Sequence, residues 1–346
     1  MSSLTPNIAR TVHDHAIVVD GTCPGVHWRK NVETWVAGGA TCCVVSVGAP
    51  RAPEGALYDL AATYDVIRRD ERLSLVSSVG EVRAAKEQRR LGVVLQFQGT
   101  EPLAYEPALV EAYWRLGVRI IQLAYNRRGP VCDGCEEPVD GGLSQLGRRV
   151  IAELNRVGIA VDVSHTGVRS SLDAIEASTA PVIASHSNAY TVHANTRNLP
   201  DEVIRAIAAS GGVIGAVGFP SFVTASRAPS LDQYIDHMAY VADLVGVEHV
   251  AVGLDYWSGT QAEYLELVAS GAWSADNYPP PPWPYPAGLG DASGLPNLTR
   301  RLLERDFSAA EVAGILGENW LRVWGRIWSG GANAYGVRSP TGSPGG

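Results

Sequence analysis

No apolar run in the 346 residues reaches the length needed to cross a bilayer. The first ten residues, Met1 to Arg10, are polar and contain no apolar core of a secretory leader, so the expected location is cytoplasmic. Lys and Arg are not clustered, and 28 basic against 36 acidic side chains leave a net charge of −8. Nucleic acid is therefore excluded as a partner, because phosphate binding needs concentrated positive charge. No membrane partner is expected either. The cysteines number five, an odd count at Cys23, Cys42, Cys43, Cys132 and Cys135, which argues against a disulfide framework. Cys132 and Cys135 have C-x-x-C spacing, but no second such pair completes a zinc site and no redox context surrounds them. There is no G-x-G-x-x-G after a first strand, and no internal repeat.

What is present is a chain that is 46% hydrophobic, with 37 glycines and 21 prolines, a globular composition. Short apolar, β-rich runs recur at 16–20, 42–48, 73–79, 92–98, 118–125, 158–165, 181–187, 212–219 and 250–256. Amphipathic stretches such as 54–69, 144–157, 199–209 and 231–245 lie between them. Continuous apolar strands alternating with helices imply a parallel sheet covered on both faces. About eight such units predict a single-domain α/β chain, a (β/α)₈ TIM-type barrel over residues 1–335. An open doubly wound sheet is the alternative. The tail 336–346 is rich in Gly, Pro and Ser and is expected to be disordered. The run Tyr278 to Pro286, YPPPPWPYP, reads as a rigid loop near the barrel mouth; a ligand for a proline-reading domain is the other reading.

Several runs end on a polar residue: Gln98, Tyr125, His165, His186 and Asp255. Barrel active sites are built at the carboxyl ends of the strands, so these positions form a candidate site. His165 and His186 end consecutive strands, where two neutral imidazoles are placed to share a metal ion.

Here the sequence resembles the membrane (renal) dipeptidase family. The resemblance is carried by Val161-Asp162-Val163-Ser164-His165, by Pro181-Val182-Ile183-Ala184-Ser185-His186-Ser187, by Arg197-Asn198-Leu199 with Asp201-Glu202, and by Gly211-Gly212-Val213-Ile214-Gly215. His249 to Asp255 and the stretch Gly288 to Trp324 add to it. It implies a two-zinc hydrolase of dipeptides. One zinc would sit on an H-x-D pair of the first strand and a late-strand Asp, the other on two histidines, with a bridging Glu. Carried over, the two histidines are His165 and His186, the late Asp is Asp255, and the arginine for a substrate carboxylate is Arg197. The other positions differ. The H-x-D pair reads Thr22 and Pro24, the bridging Glu reads Gln98, and a substrate-contacting His reads Tyr125, followed by Asn126.

Proline carries no donor for a metal, and threonine is a poor zinc ligand. Gln in place of Glu removes the negative charge that two dications a few ångströms apart require. The expectation is at most one zinc ion, on His165 and His186, or none. Catalysis is expected from Asp255, His165 and His186, with Arg197, Tyr125, Asn126 and Gln98 binding substrate. Cys23 and Thr22, in the altered first-strand motif, and His193, in the loop before Arg197, are further candidates. A free Cys such as Cys23 is also commonly a small buried hydrophobe. The function implied is dipeptidase-like hydrolysis of a small peptide-like or amino-acid-derived substrate. The alternatives are a metal-independent isomerase, lyase or cyclase on the same barrel, or a non-catalytic binding protein. The resemblance also suggests a homodimer.

Overall fold

Nine short strands run parallel in a computed structural model of the chain, which describes residues 6–48 and 52–335. They are β1 (Val19–Pro24), β2 (Cys42–Ser46), β3 (Leu73–Leu75), β4 (Leu91–Phe97), β5 (Val118–Gln122), β6 (Ala160–Asp162), β7 (Val182–Ile183), β8 (Ile214–Ala216) and β9 (Val250–Val252). Each overlaps one of the apolar runs read from the sequence; β1 continues past its run to Pro24, and β4 starts one residue before its run, at Leu91. Pairing runs β1-β2-β4-β5-β6-β7, with β3 added to the first half of β4, and β8 pairs β9. A bridge between Ala184 and Ile214 joins β7 to β8. The seam between β9 and β1 closes where Asp255 N donates to Thr22 O at 3.1 Å and Leu254 N donates to Asp20 Oδ1 at 2.8 Å. The sheet is thus curled into the TIM-type barrel, with helices between the strands.

Alternation along the strands separates two cores. Cys43, Val45, Val93, Leu95 and Phe97 face the surrounding helices. Cys42, Val44, Val94, Ile120 and Ala160 face inward, onto Trp320, Trp324 and Trp328 of the closing helix Asn319–Tyr335. Those three indoles stack at 5.4 and 4.7 Å, and Trp320 Nε1 donates to Val252 O at 3.0 Å, so the indole N–H is satisfied inside the barrel. Gly21, Gly215 and Gly253 come so close to the Ser185 carbonyl that no Cβ fits there.

Helix boundaries follow local chemistry. In the helix Gln145–Val157, Ser144 accepts from the Gly147 amide, and Gly158 ends the helix at φ +79°, a conformation glycine adopts without Cβ strain. All five cysteines are free thiols. No described helix is long and apolar enough to cross a membrane. The tail 336–346 lies outside the described residues.

Candidate active site

Just past the carboxyl ends of β5, β6 and β9 lie residues in the left-handed region: Asn126 at φ +59°, His165 at +62° and Asp255 at +51°. Such conformations cost non-glycine residues free energy and persist where the surrounding structure over-determines them. All three belong to the candidate set read from the sequence; the other non-glycine residues in this region are Arg89, Ala104, Tyr105 and Asp306.

His165 and His186 meet behind that mouth. Their Nε2 atoms lie 2.7 Å apart and the rings cross at 62°. The tautomers follow from Asn126, whose amide donates to Ala272 O and Tyr278 Oη, both at 3.0 Å. Its Oδ1 is therefore an acceptor, and His165 Nδ1 carries the proton it accepts at 2.6 Å. His165 Nε2 then accepts, and His186 Nε2 donates. His186 Nδ1 is left to accept from Ser185 Oγ at 2.7 Å or Thr22 Oγ1 at 3.1 Å. Ser185 Oγ also lies 2.5 Å from Asp162 Oδ2. Burial, then the Arg197 guanidinium, holds both imidazoles well below their usual range, so both are neutral. Tyr125 stacks on His165 at 4.3 Å and covers the pair. The two histidines are 3% and 0% exposed and lie outside the cavity wall.

The cavity in front has a volume of about 460 Å³. Asp255, Gln98, Tyr125 and His27 line it, with Phe219, Trp257, Trp273 and Tyr278. The Asp255 carboxylate makes no hydrogen bond among the described residues. Burial pushes it up to about 7, against the opposing pull of Arg197 and with a push from Asp20. Tyr125 Oη accepts from Trp273 Nε1 at 2.8 Å, which leaves its own proton free for the cavity. Burial brings His27 down to about 4.

The remaining candidates lie elsewhere. Arg197 is 2% exposed, stands over the Phe222 ring at 5.1 Å, donates to His186 O at 3.3 Å, and leaves Nε unpartnered. It is not part of the cavity wall. Thr22 is buried, receiving Gln96 Nε2 at 3.2 Å. Cys23 is fully buried, with its thiol donating to Asp20 Oδ2 at 3.3 Å and raised well above its ordinary range by burial. His193 reaches Ser221 O at 3.1 Å and lines a separate groove.

Sequence reasoning missed the aromatic cover. Trp257, Trp273, Tyr278, Trp283 and Tyr285 pack with Phe219 and Phe222 over the mouth; Trp273 and Tyr278 stack at 4.3 Å. The run Tyr278 to Pro286 was the available signal. Its aromatic rings turn inward, with Tyr285 Oη donating to the Asp255 carbonyl at 2.5 Å. The run is part of the mouth, while Pro280, Pro282 and Pro284 are exposed on its outer side.

The family model described as membrane dipeptidase (peptidase family M19) matches residues 12–270 and 283–333. The chain belongs to the membrane dipeptidase family. A dipeptidase of Clonostachys rogersoniana, verJ, is 33% identical over 258 residues, 74% of this chain and 60% of that protein. The Aspergillus oryzae dipeptidase aclJ is 31% identical over 69% of this chain and 52% of its own length. The chain thus spans between half and two thirds of these curated relatives. A Pseudomonas aeruginosa amidohydrolase of known structure is 31% identical, covers 93% of this chain and 99% of its own, and superposes with a TM-score of 0.86.

The donor set of this member of the family does not fit a two-metal centre. Thr22 and Pro24 offer no nitrogen or carboxylate donor, and Gln98 brings no charge between two cations. The Nε2 atoms of His165 and His186 are hydrogen-bonded to each other, closer than two imidazoles sharing a zinc ion would stand. Among the described residues, no three His, Cys, Asp or Glu side chains converge.

Proposed function

We propose that this membrane dipeptidase family member hydrolyses an amide bond in a small peptide-like or amino-acid-derived molecule, with Asp255 moving the proton and at most one metal ion involved. The observation that carries the reading is the Asp255 carboxyl group: it faces the cavity from a strained strand end, free of side-chain partners, and titrates near neutrality. A group with that pKa serves as base and then as acid at physiological pH. Ionised Asp255 takes a proton from water as the water oxygen bonds to the amide carbon. The Tyr125 hydroxyl and the Gln98 amide donate to the oxygen that gains negative charge. Asp255 returns the proton to nitrogen as the C–N bond breaks, releasing acid and amine.

His165, His186 and Asn126 hold the Tyr125 ring from behind. Arg197 acts from behind the wall as a fixed positive charge that keeps Asp255 from rising further. A second reading, proton transfer in an isomerase, lyase or cyclase, is favoured by the same isolated acid and the neutral histidine pair.

Asp255→Asn tests the proposal, since Asn tolerates positive φ and removes only the proton carrier. Turnover should fall by about 10²–10⁴, the usual contribution of a positioned acid or base. An unchanged rate would refute it. On simple L,L and L,D dipeptides the wild-type rate should stay below about 10 s⁻¹, the enzyme median, for want of the two-metal nucleophile. Hydrolysis of a dipeptide panel followed by chromatography measures both.

A further inference from the structure

Five aromatic side chains, Tyr125, Phe219, Trp257, Trp273 and Tyr278, contribute to the cavity wall. The charged groups on the same wall are mostly carboxylates. Arg29 is paired with Asp59 at 3.7 Å, and His27 is neutral. Asp255 on the inner wall, with Glu263 and Glu266 at the rim, leaves the cavity facing negative charge. Lys30 reaches Glu263 at 3.6 Å but is well exposed and outside the wall. Arg197, the nearby guanidinium, stands over the Phe222 ring and is outside the wall.

Aromatic faces are electron-rich and attract cations, more strongly where water is excluded. A bare metal ion needs converging oxygen, nitrogen or sulfur donors, and no trio of His, Cys, Asp or Glu side chains converges among the described residues. Rings combined with an unpaired carboxylate suit an organic cation instead. The volume of about 460 Å³ fits a small molecule.

We infer that this cavity is an aromatic cage for a hydrophobic ammonium ion, an amine whose neighbouring group is flat and apolar. The ammonium lies against Asp255 and the flat group against Trp257 and Trp273. The inference deepens the proposed hydrolase by naming one end of its substrate, and rests on that reading for the substrate's fate. Binding itself requires no turnover, so the two can fail separately.

Phenethylamine and 3-phenylpropionate carry the same ring on a two-carbon chain with opposite charges. Their affinities for the intact protein, measured by calorimetry at mildly alkaline pH, test the cage. Phenethylamine should bind about tenfold or more tighter, as expected for a cation among aromatic faces and a carboxylate. Asp255→Asn should erase that preference, and Trp257→Phe should weaken phenethylamine several-fold while a melting curve verifies folding. Equal or tighter binding of 3-phenylpropionate, no binding of phenethylamine, or a preference that survives Asp255→Asn would overturn the inference. Amide hydrolysis by a protein that ignores phenethylamine would leave the hydrolase standing and remove only the cage.

Discussion

Two carboxylates in this barrel, Asp20 and Asp255, have opposite designs. Asp20 accepts from Trp35 Nε1 at 2.7 Å and the Leu254 amide at 2.8 Å, with the Cys23 thiol and Thr22 amide at its other lone pairs. Both oxygens are acceptors, so Asp20→Asn turns an N–H toward a donor. Although burial raises this carboxyl and the substitution removes a buried charge, we expect a net loss of about 1–3 kcal/mol, read from denaturant unfolding. Asp255, by contrast, has no partners to lose. Its folded pKa of about 7 stands above the ordinary value of 3.8, so its protonated form is the one the fold favours. The associated stability is fully present below about 3.8 and is lost as pH rises through about 7. Melting temperatures of the wild type should therefore fall across that window by more than those of Asp255→Asn. Parallel curves for the two proteins would contradict the assignment.

At the scale of elements, the segment from Gly271 to Tyr285 is held over the mouth by polar ties to the loop after β5. Glu136, buried at 3% side-chain exposure, accepts from Asn277 Nδ2 at 2.7 Å and Ser274 Oγ at 3.0 Å, and pairs with Arg127 at 3.2 Å. Arg127 Nε donates to Gly271 O at 2.9 Å, and Asn126 donates to Ala272 O. One carboxylate thus takes two hydrogen bonds on Oε1 and an ion pair on Oε2. Glu136→Ala should cost about 1–3 kcal/mol, because those donors lose a shared acceptor. Amide exchange in residues 271–285 should accelerate while the barrel strands stay protected. Exchange unchanged in that segment would mean that the aromatic packing alone holds it.

The whole molecule has the family's barrel, and Thr22, Pro24 and Gln98 are weak or absent donors for a metal ion. After incubation with zinc and dialysis, elemental analysis should find no more than one equivalent per chain. Two retained equivalents would contradict the argument from Thr22, Pro24 and Gln98. The same scale explains why Tyr125 matters. Its ring occupies the space in front of His165 that a smaller or more polar side chain would leave open.

The strands, their parallel order and the closing of the barrel were legible in the sequence, because strands buried on both faces must read as continuous apolar runs. Three of the polar residues ending those runs, Gln98, Tyr125 and Asp255, lie on the cavity at one end of the barrel. That His165 and His186 bond to each other behind Tyr125, that Asn126 fixes their protons, and that Arg197 stacks on Phe222 were decided by tertiary structure. So was the inward turn of the aromatic run from Tyr278. Sequence spacing sets which strand end a residue occupies. Which side of a ring it meets, and whether water reaches it, depends on side chains brought together from distant parts of the chain, here Tyr125 with Trp273 and Asn126 with Tyr278.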